Sequence, residues 1–491
     1  MKITDLEPKI VWNFFHQVTQ VPRPSKKEEK MIQYLESFAS TYKIAIKKDE
    51  VGNILMSKPA TPGLENRETV IMQSHIDMVC EKNLGTVHDF DLDPIETIVE
   101  GDWLRANGTT LGADNGIGVA ALLAVLASDD IAHGPIECLF TVDEETGLTG
   151  AKAIKSGFMT GNILFNLDSE TEGEIFVGCS GGKDTQAIFT YEPMKASPDK
   201  AYFVISIKGL NGGHSGGEIH KGLGNANKIL ARFLFILNKQ KIDFDLCNID
   251  GGNLRNVIAR EASATIGIDS ENKETVRILL NHFTADIENE LKHADPKVRI
   301  TMESWQDASA LTPETRIDPK TTYSLILALN ACPHGVIGMS HDIEGLVETS
   351  TNLASVKMKE GNTIVIGTSQ RSSIESCKEA ITYQVAATFL QAGAQVTHGD
   401  GYPGWAPNPN SKILKVAQST YKQLFGKEPK IMAIHAGLEC GFFLEKYPQL
   451  DLISFGPTMC DVHSPQERLL IPTVGLWWNH LKELLKNIPV K

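Results

Sequence analysis

Hydrophobic and polar positions alternate between helical and strand-like spacing over the first 180 residues. Apolar residues recur at helical spacing in 28–42, and a run of small apolar residues at 116–128 predicts a buried helix. Short apolar runs at 69–75, 136–142 and 163–167 predict strands. Strands that alternate with helices are typical of an α/β fold, so we predict a mostly parallel sheet with flanking helices.

From Ala187 the pattern changes to a different order of strands and amphipathic helices. Residues 202–208 alternate as a half-buried strand, and 223–237 have helical periodicity. This order predicts a large α+β domain inserted into the α/β domain, whose pattern returns near the C-terminus. The predicted boundaries are 1–186 for the first part of the α/β domain, 187–401 for the inserted domain and 402–491 for the second part.

Composition narrows the classes of protein that the chain can belong to. The 491 residues include 61 acidic and 47 basic side chains, a net charge of −14 without a basic block, which argues against nucleic acid as a partner. No N-terminal signal sequence is visible, and the most apolar stretch, 116–127, is shorter than the ~20 residues that cross a bilayer. Eight scattered cysteines fit a reducing compartment, so we predict a cytoplasmic protein without membrane contact.

Acidic and imidazole side chains cluster at the ends of strand-like runs, with Asp114 just before the apolar helix and His463 beyond a strand-like run at 452–455. In open α/β sheets, ligands bind outside the carboxyl ends of the strands, so side chains from these separate segments should meet at one edge. The candidates are His75, Asp77, Asp114, Glu144, Glu145, Asp168 and His463.

This set of side chains suits a metal site. Five of the seven side chains, two imidazoles and three carboxylates, favour Zn²⁺ or a related divalent ion, and two ions that share a carboxylate can polarise a carbonyl and activate water. The Glu144-Glu145 pair could supply one metal ligand and one free general base, while Asp77 could orient His75. Taken singly, each residue is better explained as a surface or capping residue, so the joint pattern carries the prediction.

A second group of candidates lies in the inserted domain. His214 stands within a run of glycines, which allow close approach to a ligand, and Arg371 is a natural partner for a carboxylate. Asn256 also flanks a strand-like run, although each of the three alone is better explained as structural. The Ser-Gly-Gly-Lys-Asp-Thr segment at 180–185 matches a phosphate-loop pattern, but a strand-like run follows it, so we interpret it as a glycine turn.

Six motifs together resemble one family, the aminoacyl-histidine dipeptidases of the aminoacylase/carboxypeptidase-type metallopeptidase superfamily. They occur in the family's order and span nearly the whole chain, at 75–82, 108–116, 143–147, 212–216, 433–441 and 463–465. The resemblance implies an α/β catalytic domain interrupted by an α+β lid and dimerisation domain.

The resemblance also assigns roles to residues. It implies that two metal ions, zinc with manganese or cobalt as alternatives, are bound by five side chains with the Asp114 carboxylate bridging. The implied metal ligands are His75, Asp114, Glu145, Asp168 and His463. Glu144 is the implied general base, with Asp77 orienting His75 and His214 stabilising the oxyanion, within the chain or across a dimer. Asn256, Arg371 and His435 are the implied substrate-binding residues.

The hypothesis is therefore a dinuclear-metal dipeptidase that cleaves dipeptides, preferentially Xaa-His such as β-alanyl-histidine, between the α/β domain and the lid. A homodimer is expected. The alternatives are an amidohydrolase that deacylates N-acyl amino acids, a carboxypeptidase acting on longer peptides, and a non-catalytic peptide-binding relative. The presence of Glu144 and all five ligand residues weighs against the last alternative.

Overall fold

Contacts in the computed structural model divide the chain into two units, each described by itself. The α/β unit comprises Met1–Cys179, Trp405–Ala433 and Leu438–Lys491, and the inserted unit comprises Ser180–Gly404 and Ile434–Gly437. The structure describes residues 2–305, 313–408 and 410–491. A functional division of the chain at residues 187 and 402 stays a prediction.

The helices of the described residues range from one turn to five turns in length. They are α1 (Lys9–Thr19), α2 (Glu29–Tyr42), α3 (Ala113–Ala127), α4 (Glu144–Gly147), α5 (Thr149–Ala153), α6 (Ala226–Lys239), α7 (Lys273–Glu290), α8 (Pro319–Ala331), α9 (Glu375–Gln391), α10 (Lys412–Phe425), α11 (Cys440–Lys446) and α12 (Ile471–Lys486). Short 3₁₀ helices occupy Ile3–Asp5, Ile219–Lys221 and Ser270–Asn272.

The strands of the α/β unit precede and follow those of the inserted unit along the chain. The first group is β1 (Ala45–Lys48), β2 (Ile54–Lys58), β3 (Val70–His75), β4 (Thr97–Glu100), β5 (Trp103–Ala106), β6 (Ile136–Thr141), β7 (Ile163–Asn166) and β8 (Glu174–Cys179). The middle group is β9 (Gly181–Thr190), β10 (Pro193–Lys195), β11 (Lys200–Lys208), β12 (Phe244–Gly251), β13 (Ala262–Asp269), β14 (Arg299–Ser304), β15 (Thr315–Ile317), β16 (Gly335–Met339), β17 (Val347–Lys359), β18 (Thr363–Ser372) and β19 (Gln395–His398). The last group is β20 (Lys430–Ile434), β21 (Asp451–Ser454), β22 (Met459–Cys460) and β23 (Arg468–Leu470).

The α/β unit is built around a mixed eight-stranded sheet in the order β1-β2-β6-β3-β7-β21-β8-β20. Its central strands β6, β3, β7 and β21 are parallel, whereas β1, β2 and β8 run antiparallel to their neighbours. Every residue of β3, β6 and β7 is buried, as expected for parallel strands that are covered on both faces. The predicted α/β class is confirmed, and the antiparallel strands outside the centre make the sheet mixed.

Register explains why the candidate residues share one edge of this sheet. His75 ends β3 and pairs in register with Thr141, which ends β6. The segments that follow these parallel strands therefore leave the sheet side by side. Helix α3 starts at Ala113 and packs against β3, which places Asp114 next to the end of that strand.

The inserted unit contains a nine-stranded sheet. Its main path is β14-β11-β13-β12-β17-β18-β9-β19, with β16 paired to β17, and the pairs are antiparallel. Apolar side chains of this sheet pack with those of α6, α7, α8 and α9 in one core. The inserted unit is therefore α+β in character, as its hydrophobic pattern predicts.

The interpretation of residues 180–185 as a glycine turn is wrong. Strand β9 already begins at Gly181 and continues without a turn to Thr190, paired with β18 over its whole length. A close approach of the 402–404 segment explains Gly181, because a Cβ there would lie 2.6 Å from the backbone of Gly404. Among the described residues no helix directly follows this segment, so it lacks the helix N-terminus that the phosphate-loop pattern requires.

Among the described residues, no helix is both long enough and apolar enough to cross a membrane.

Candidate metal centre

The carboxylate of Asp114 stands between two imidazoles in the α/β unit. Its Oδ1 lies 3.1 Å from His75 Nε2, and its Oδ2 lies 3.1 Å from His463 Nε2. Asp114 follows Gly112, whose φ of 66° lies in the left-handed region that favours glycine. A Cβ on Gly112 would also come within 2.5 Å of the Arg23 guanidinium, so the turn that presents Asp114 requires glycine.

Each imidazole also faces a carboxylate of its own. His75 Nε2 lies 3.4 Å from Asp168 Oδ1, and His463 Nε2 lies 3.0 Å from Glu145 Oε2. The His75 side chain is only 1% exposed, whereas that of His463 is 50% exposed. The cluster thus has a buried half and a half that is open to solvent, with the Asp114 carboxylate shared between them.

The charges of the cluster depend strongly on one another. Burial alone would lower the pKa of His75, but the carboxylates of Asp168, Asp114 and Asp77 outweigh it and raise that pKa well above its usual value. Hydrogen bonds to Asp114 and Glu145 raise the pKa of His463 to about 11. Burial and the Asp114 carboxylate raise the pKa of Asp168 to about 6. The carboxylates of Asp114, Asp168 and Glu145 therefore need positive charge between them.

Divalent cations fit this need better than protons on the imidazoles. His75, Asp114 and Glu145 offer ligand atoms that all lie within 4.8 Å of one another. Glu145 Oε1 is buried and has no hydrogen-bond partner among the described residues, although a buried carboxylate oxygen is costly to leave unpaired. Imidazole nitrogens and carboxylate oxygens are the donor types that zinc and related ions prefer.

Glu144 and Asp77 stand beside the cluster. The backbone N–H groups of Glu144 and Glu145 donate to Asp77 Oδ1 at 3.1 Å and Oδ2 at 3.2 Å, which anchors α4. Asp77 Oδ1 also lies 3.3 Å from His75 Nδ1. Burial, together with the nearby carboxylate of Asp168, raises the pKa of Glu144 well above its usual value. All seven strand-end candidates therefore converge in one place.

The sequence did not predict three buried residues of this centre, which are Arg23, Glu439 and Glu467. Arg23 and Glu467 hold backbone groups of the segments that carry the candidate ligands. Glu439 is fully buried, accepts a hydrogen bond from Gln73, and has its pKa raised to about 8 by burial. Glu467 lies four residues after His463, and no spacing rule distinguishes such a carboxylate from a surface residue.

A second cluster forms within the inserted unit around His214. The backbone N–H groups of Gly216 and Gly217 donate to His214 Nδ1 at 3.2 and 3.1 Å. Because Nδ1 accepts these bonds, the proton of the neutral ring sits on Nε2 and can be donated. Burial and the positive charge of Arg371 lower the pKa of His214, which favours the neutral ring.

Arg371 and His435 belong to the same cluster. Arg371 is 7% exposed and donates from Nη1 to the Tyr402 hydroxyl at 2.7 Å, and its Nε has no partner among the described residues. His435 Nε2 lies 2.7 Å from Ser350 Oγ, and burial and Arg371 lower the pKa of His435 to about 3. The cluster therefore presents one buried cation and neutral imidazoles.

Asn256 takes part in this cluster through its backbone. Its carbonyl accepts a 2.8 Å hydrogen bond from the N–H of Ser215, next to His214. Its side chain is exposed. The structure thus brings His214, Arg371 and His435 together and places the Asn256 main chain beside them.

This arrangement is typical of a metallohydrolase site: one carboxylate is shared between two imidazoles, and each imidazole also faces a further carboxylate, of Asp168 or Glu145. The family model described as peptidase family M20/M25/M40 matches residues 71–486. The chain belongs to this family, and it is a peptidase.

Two full-length relatives support the assignment. The chain is 42% identical over 491 residues to the cytosol non-specific dipeptidase of Escherichia coli (strain K12), and the match covers 100% of both chains. The crystal structure of the aminoacylhistidine dipeptidase from Vibrio alginolyticus matches with a TM-score of 0.93 and 42% identity, over 100% of this chain and 99% of that chain. A tripeptidase from Staphylococcus aureus, with a TM-score of 0.57, 17% identity and coverage of 98% and 99%, shares the fold.

Proposed function

We propose that the protein hydrolyses the peptide bond of dipeptides with two divalent metal ions. The observation that carries the proposal is the Asp114 carboxylate, whose two oxygens face the Nε2 atoms of His75 and His463 at 3.1 Å each. Both full-length relatives are named as dipeptidases, which supports the choice of substrate.

The metal ligands divide into two groups around Asp114. His75 and Asp168 would hold one ion, His463 and Glu145 the other, and Asp114 both. When bound, the two ions would polarise the scissile carbonyl and lower the pKa of an attacking water. The exposed His463 side offers the approach for the substrate, because the His75 side is closed to solvent.

Glu144 is the proposed general base. Its half-buried carboxylate stands beside the cluster, and its backbone is anchored by Asp77. It would take a proton from the attacking water and return it to the leaving amine. Asp77, 3.3 Å from His75 Nδ1, would keep that ring oriented so that Nε2 points to the metal position.

The second cluster is proposed to recognise the substrate. Arg371, buried and held by the Tyr402 hydroxyl, would bind the substrate carboxylate, which would restrict the enzyme to short peptides. His214, with its proton on Nε2, would donate to the oxyanion that develops during the reaction. His435 and Asn256 would complete the substrate site. The names of the two relatives differ on specificity, so a preference for Xaa-His is the finer part of the proposal.

Removal of the metal tests the proposal. The protein would be dialysed against a chelator, assayed with β-alanyl-histidine, and assayed again after addition of Zn²⁺, Mn²⁺ or Co²⁺. We expect cleavage to vanish and to return with at least one ion. Cleavage that persists at full rate in the chelated protein would overturn the metal-dependent mechanism.

A substrate panel separates the alternatives. Xaa-His dipeptides, other dipeptides, longer peptides and N-acetyl amino acids would be compared by kcat/KM. A clear preference for N-acetyl amino acids would identify a deacylase. If none of the compounds in the panel is turned over, the protein would be identified as a non-catalytic binding protein. Preference for longer peptides would identify a carboxypeptidase.

Zinc, a homodimer and a cytoplasmic location complete the proposal. The two imidazoles of the ligand set favour zinc over magnesium or calcium, which prefer oxygen ligands alone. The name of the Escherichia coli relative places that protein in the cytosol, in agreement with the predicted location. Metal analysis of the purified protein and sedimentation velocity would measure the metal and the oligomeric state.

A further inference from the structure

We propose that Glu467 is a positioning residue, which fixes the shared carboxylate of Asp114 relative to His463. The inference rests on the proposed function, because it concerns the geometry of the two-metal centre. It adds a residue that touches neither the metal positions nor the substrate but determines how the two ligand-bearing segments meet.

The Glu467 carboxylate binds four consecutive backbone N–H groups. Leu111 and Gly112 donate to its Oε2 at 2.7 and 2.9 Å. Ala113 and Asp114 donate to its Oε1 at 2.7 and 3.3 Å. Both oxygens therefore accept two bonds each, and the last of the four donors belongs to the shared ligand itself.

Glu467 is itself firmly held. Its side chain is 2% exposed, and its backbone N–H donates to Ser464 O at 3.0 Å, which closes the turn after His463. Strand β23 begins at the next residue, and Arg468 pairs in register with Arg105 of β5. The His463 segment thus has a fixed base, from which the Glu467 carboxylate reaches the 111–114 turn.

A guanidinium holds the opposite side of the same turn. Arg23 is also 2% exposed and donates to the carbonyl of Gly112, and to those of Ile76 and Asp77 at 3.1 and 2.7 Å. The turn is therefore fixed through its N–H groups by a carboxylate and through a carbonyl by a cation. Together the two side chains tie the segments of His75, Asp114 and His463 to one another.

The arrangement predicts a selective effect on metal binding. In Glu467→Gln an NH₂ group replaces one carboxylate oxygen. This group cannot accept the two backbone N–H bonds that the oxygen accepted, so the turn should shift relative to His463. The ion held by His463 and Glu145 should then bind about 10- to 100-fold more weakly, as is typical when a residue that supports a metal ligand is lost. The ion held by His75 and Asp168 should be affected less, because Asp77 still orients His75.

Glu137→Gln is a matched control. Glu137 is also buried in the α/β unit, and it accepts backbone N–H groups from Thr160 and Gly161 at 2.8 and 3.2 Å. It lies near the start of β6, at the opposite end of that strand from the metal centre. The same substitution there removes the same kind of contact without touching a segment that carries a ligand.

The experiment titrates the metal-free full-length proteins with Zn²⁺ by calorimetry. A His463→Ala variant identifies which binding step belongs to the exposed half. Amide hydrogen exchange of the metal-free proteins reports on residues 111–114, and thermal melting confirms folding. We expect Glu467→Gln to weaken the His463 step and to speed exchange at 111–114, while Glu137→Gln changes neither.

The outcomes separate this inference from the proposed function. If the unaltered protein binds two ions and Glu467→Gln, still folded, binds both with unchanged affinity, the positioning role is refuted. Equal weakening of both steps would also refute it, because the effect would then be general. If the unaltered protein fails to bind two ions, the proposed function fails first. A Glu467→Asp variant, too short to reach the turn, should behave like Glu467→Gln, which shows that reach matters as well as charge.

Discussion

Gln73 Nε2 donates a 2.6 Å hydrogen bond to Glu439 Oε2 in the core of the α/β unit, and both side chains are fully buried. Gln73 Oε1 accepts a 2.6 Å bond from Asn166 Nδ2, and Thr141 Oγ1 donates to the same Glu439 oxygen at 2.8 Å. A polar chain therefore crosses β6, β3 and β7 two residues before His75 ends β3. It links strands that lead into the segments with the candidate metal ligands.

Loss of this chain should destabilise the α/β unit. Gln73→Met keeps the length of the side chain but removes its bonds to Asn166 and Glu439, so buried polar groups lose their partners. We expect a loss of about 2 kcal/mol in stability, within the range for an unpaired buried polar group. Thermal melting of the metal-free protein measures it. Gln395→Met, at an exposed position of β19, is the control and should leave the melting temperature unchanged.

Substitution of the proposed base should separate chemistry from metal binding. Glu144→Gln keeps the shape of the side chain but cannot take a proton from water. We expect kcat to fall by about 10²- to 10⁴-fold, the usual contribution of general base catalysis, with metal content unchanged. Turnover by stopped assay and metal content by elemental analysis give the two readouts. Near-normal kcat in a fully metal-loaded variant would exclude Glu144 as the base.

The proposed carboxylate-binding role of Arg371 can be tested with paired substrates. Arg371→Ala removes the buried cation, so KM for a dipeptide should rise about 10- to 100-fold, as for loss of a charge-assisted hydrogen bond. The C-terminal amide of the same dipeptide should be affected much less. Tyr402→Phe removes the hydroxyl that accepts from Arg371 and should produce a smaller effect in the same direction.

A matched substitution makes the Arg371 test specific. Arg299 lies exposed on β14, so Arg299→Ala removes the same charge from the surface of the inserted unit. We expect no change in KM for either substrate. If Arg371→Ala raises KM equally for the dipeptide and its amide, the residue does not bind the carboxylate.

Acid should weaken the α/β unit through His480. Burial lowers the pKa of His480 from 6.5 to about 4, and its Nε2 lies 3.1 Å from the Ala417 carbonyl, with the Tyr421 ring against it. As the pH falls, the unfolded chain takes up a proton on His480 near pH 6.5, whereas the folded protein does so only near pH 4. The free energy of unfolding is therefore at its full value above pH 6.5 and decreases as the pH falls towards 4. The loss is on the order of 3 kcal/mol.

Melting at two pH values tests the role of His480. His480→Gln removes the titrating group, so its melting temperature should fall less between pH 7.5 and pH 4.5 than that of the unaltered protein. His282→Gln, at an exposed position of α7, should keep the full acid sensitivity. The same acid sensitivity in both variants would show that His480 does not carry the effect.

Periodicity and strand ends are sufficient to bring together most of the residues of the candidate metal centre. Buried strands such as β3 have a local signature, and a residue directly after a parallel strand must lie at the ligand-binding edge. His75 and Asp168 could therefore be assigned to one edge from their neighbours alone. Residues 180–185 show the limit of such reasoning, because a glycine that suggests a turn, Gly181, lies in a strand and is required by the close approach of the 402–404 backbone.

Arg23, Glu439 and Glu467 show what local patterns do not contain. Each is an ionisable residue whose burial depends on partners far along the chain: Glu467 binds N–H groups about 355 residues earlier, and Glu439 binds Gln73 366 residues earlier. A charged side chain is usually solvated, so without those partners the expected position of each is the surface.

The amino-acid sequence by itself determined the α/β class, the inserted α+β segment and the identity of the side chains at the strand ends, because these follow from the spacing of neighbouring residues. Only the tertiary structure decided that Asp114 presents one oxygen to His75 and the other to His463, which lies 349 residues away. It also decided which buried groups hold that arrangement. The physical reason is that hydrogen bonds and ion pairs act over a few ångströms, and only the packed fold brings such distant segments that close.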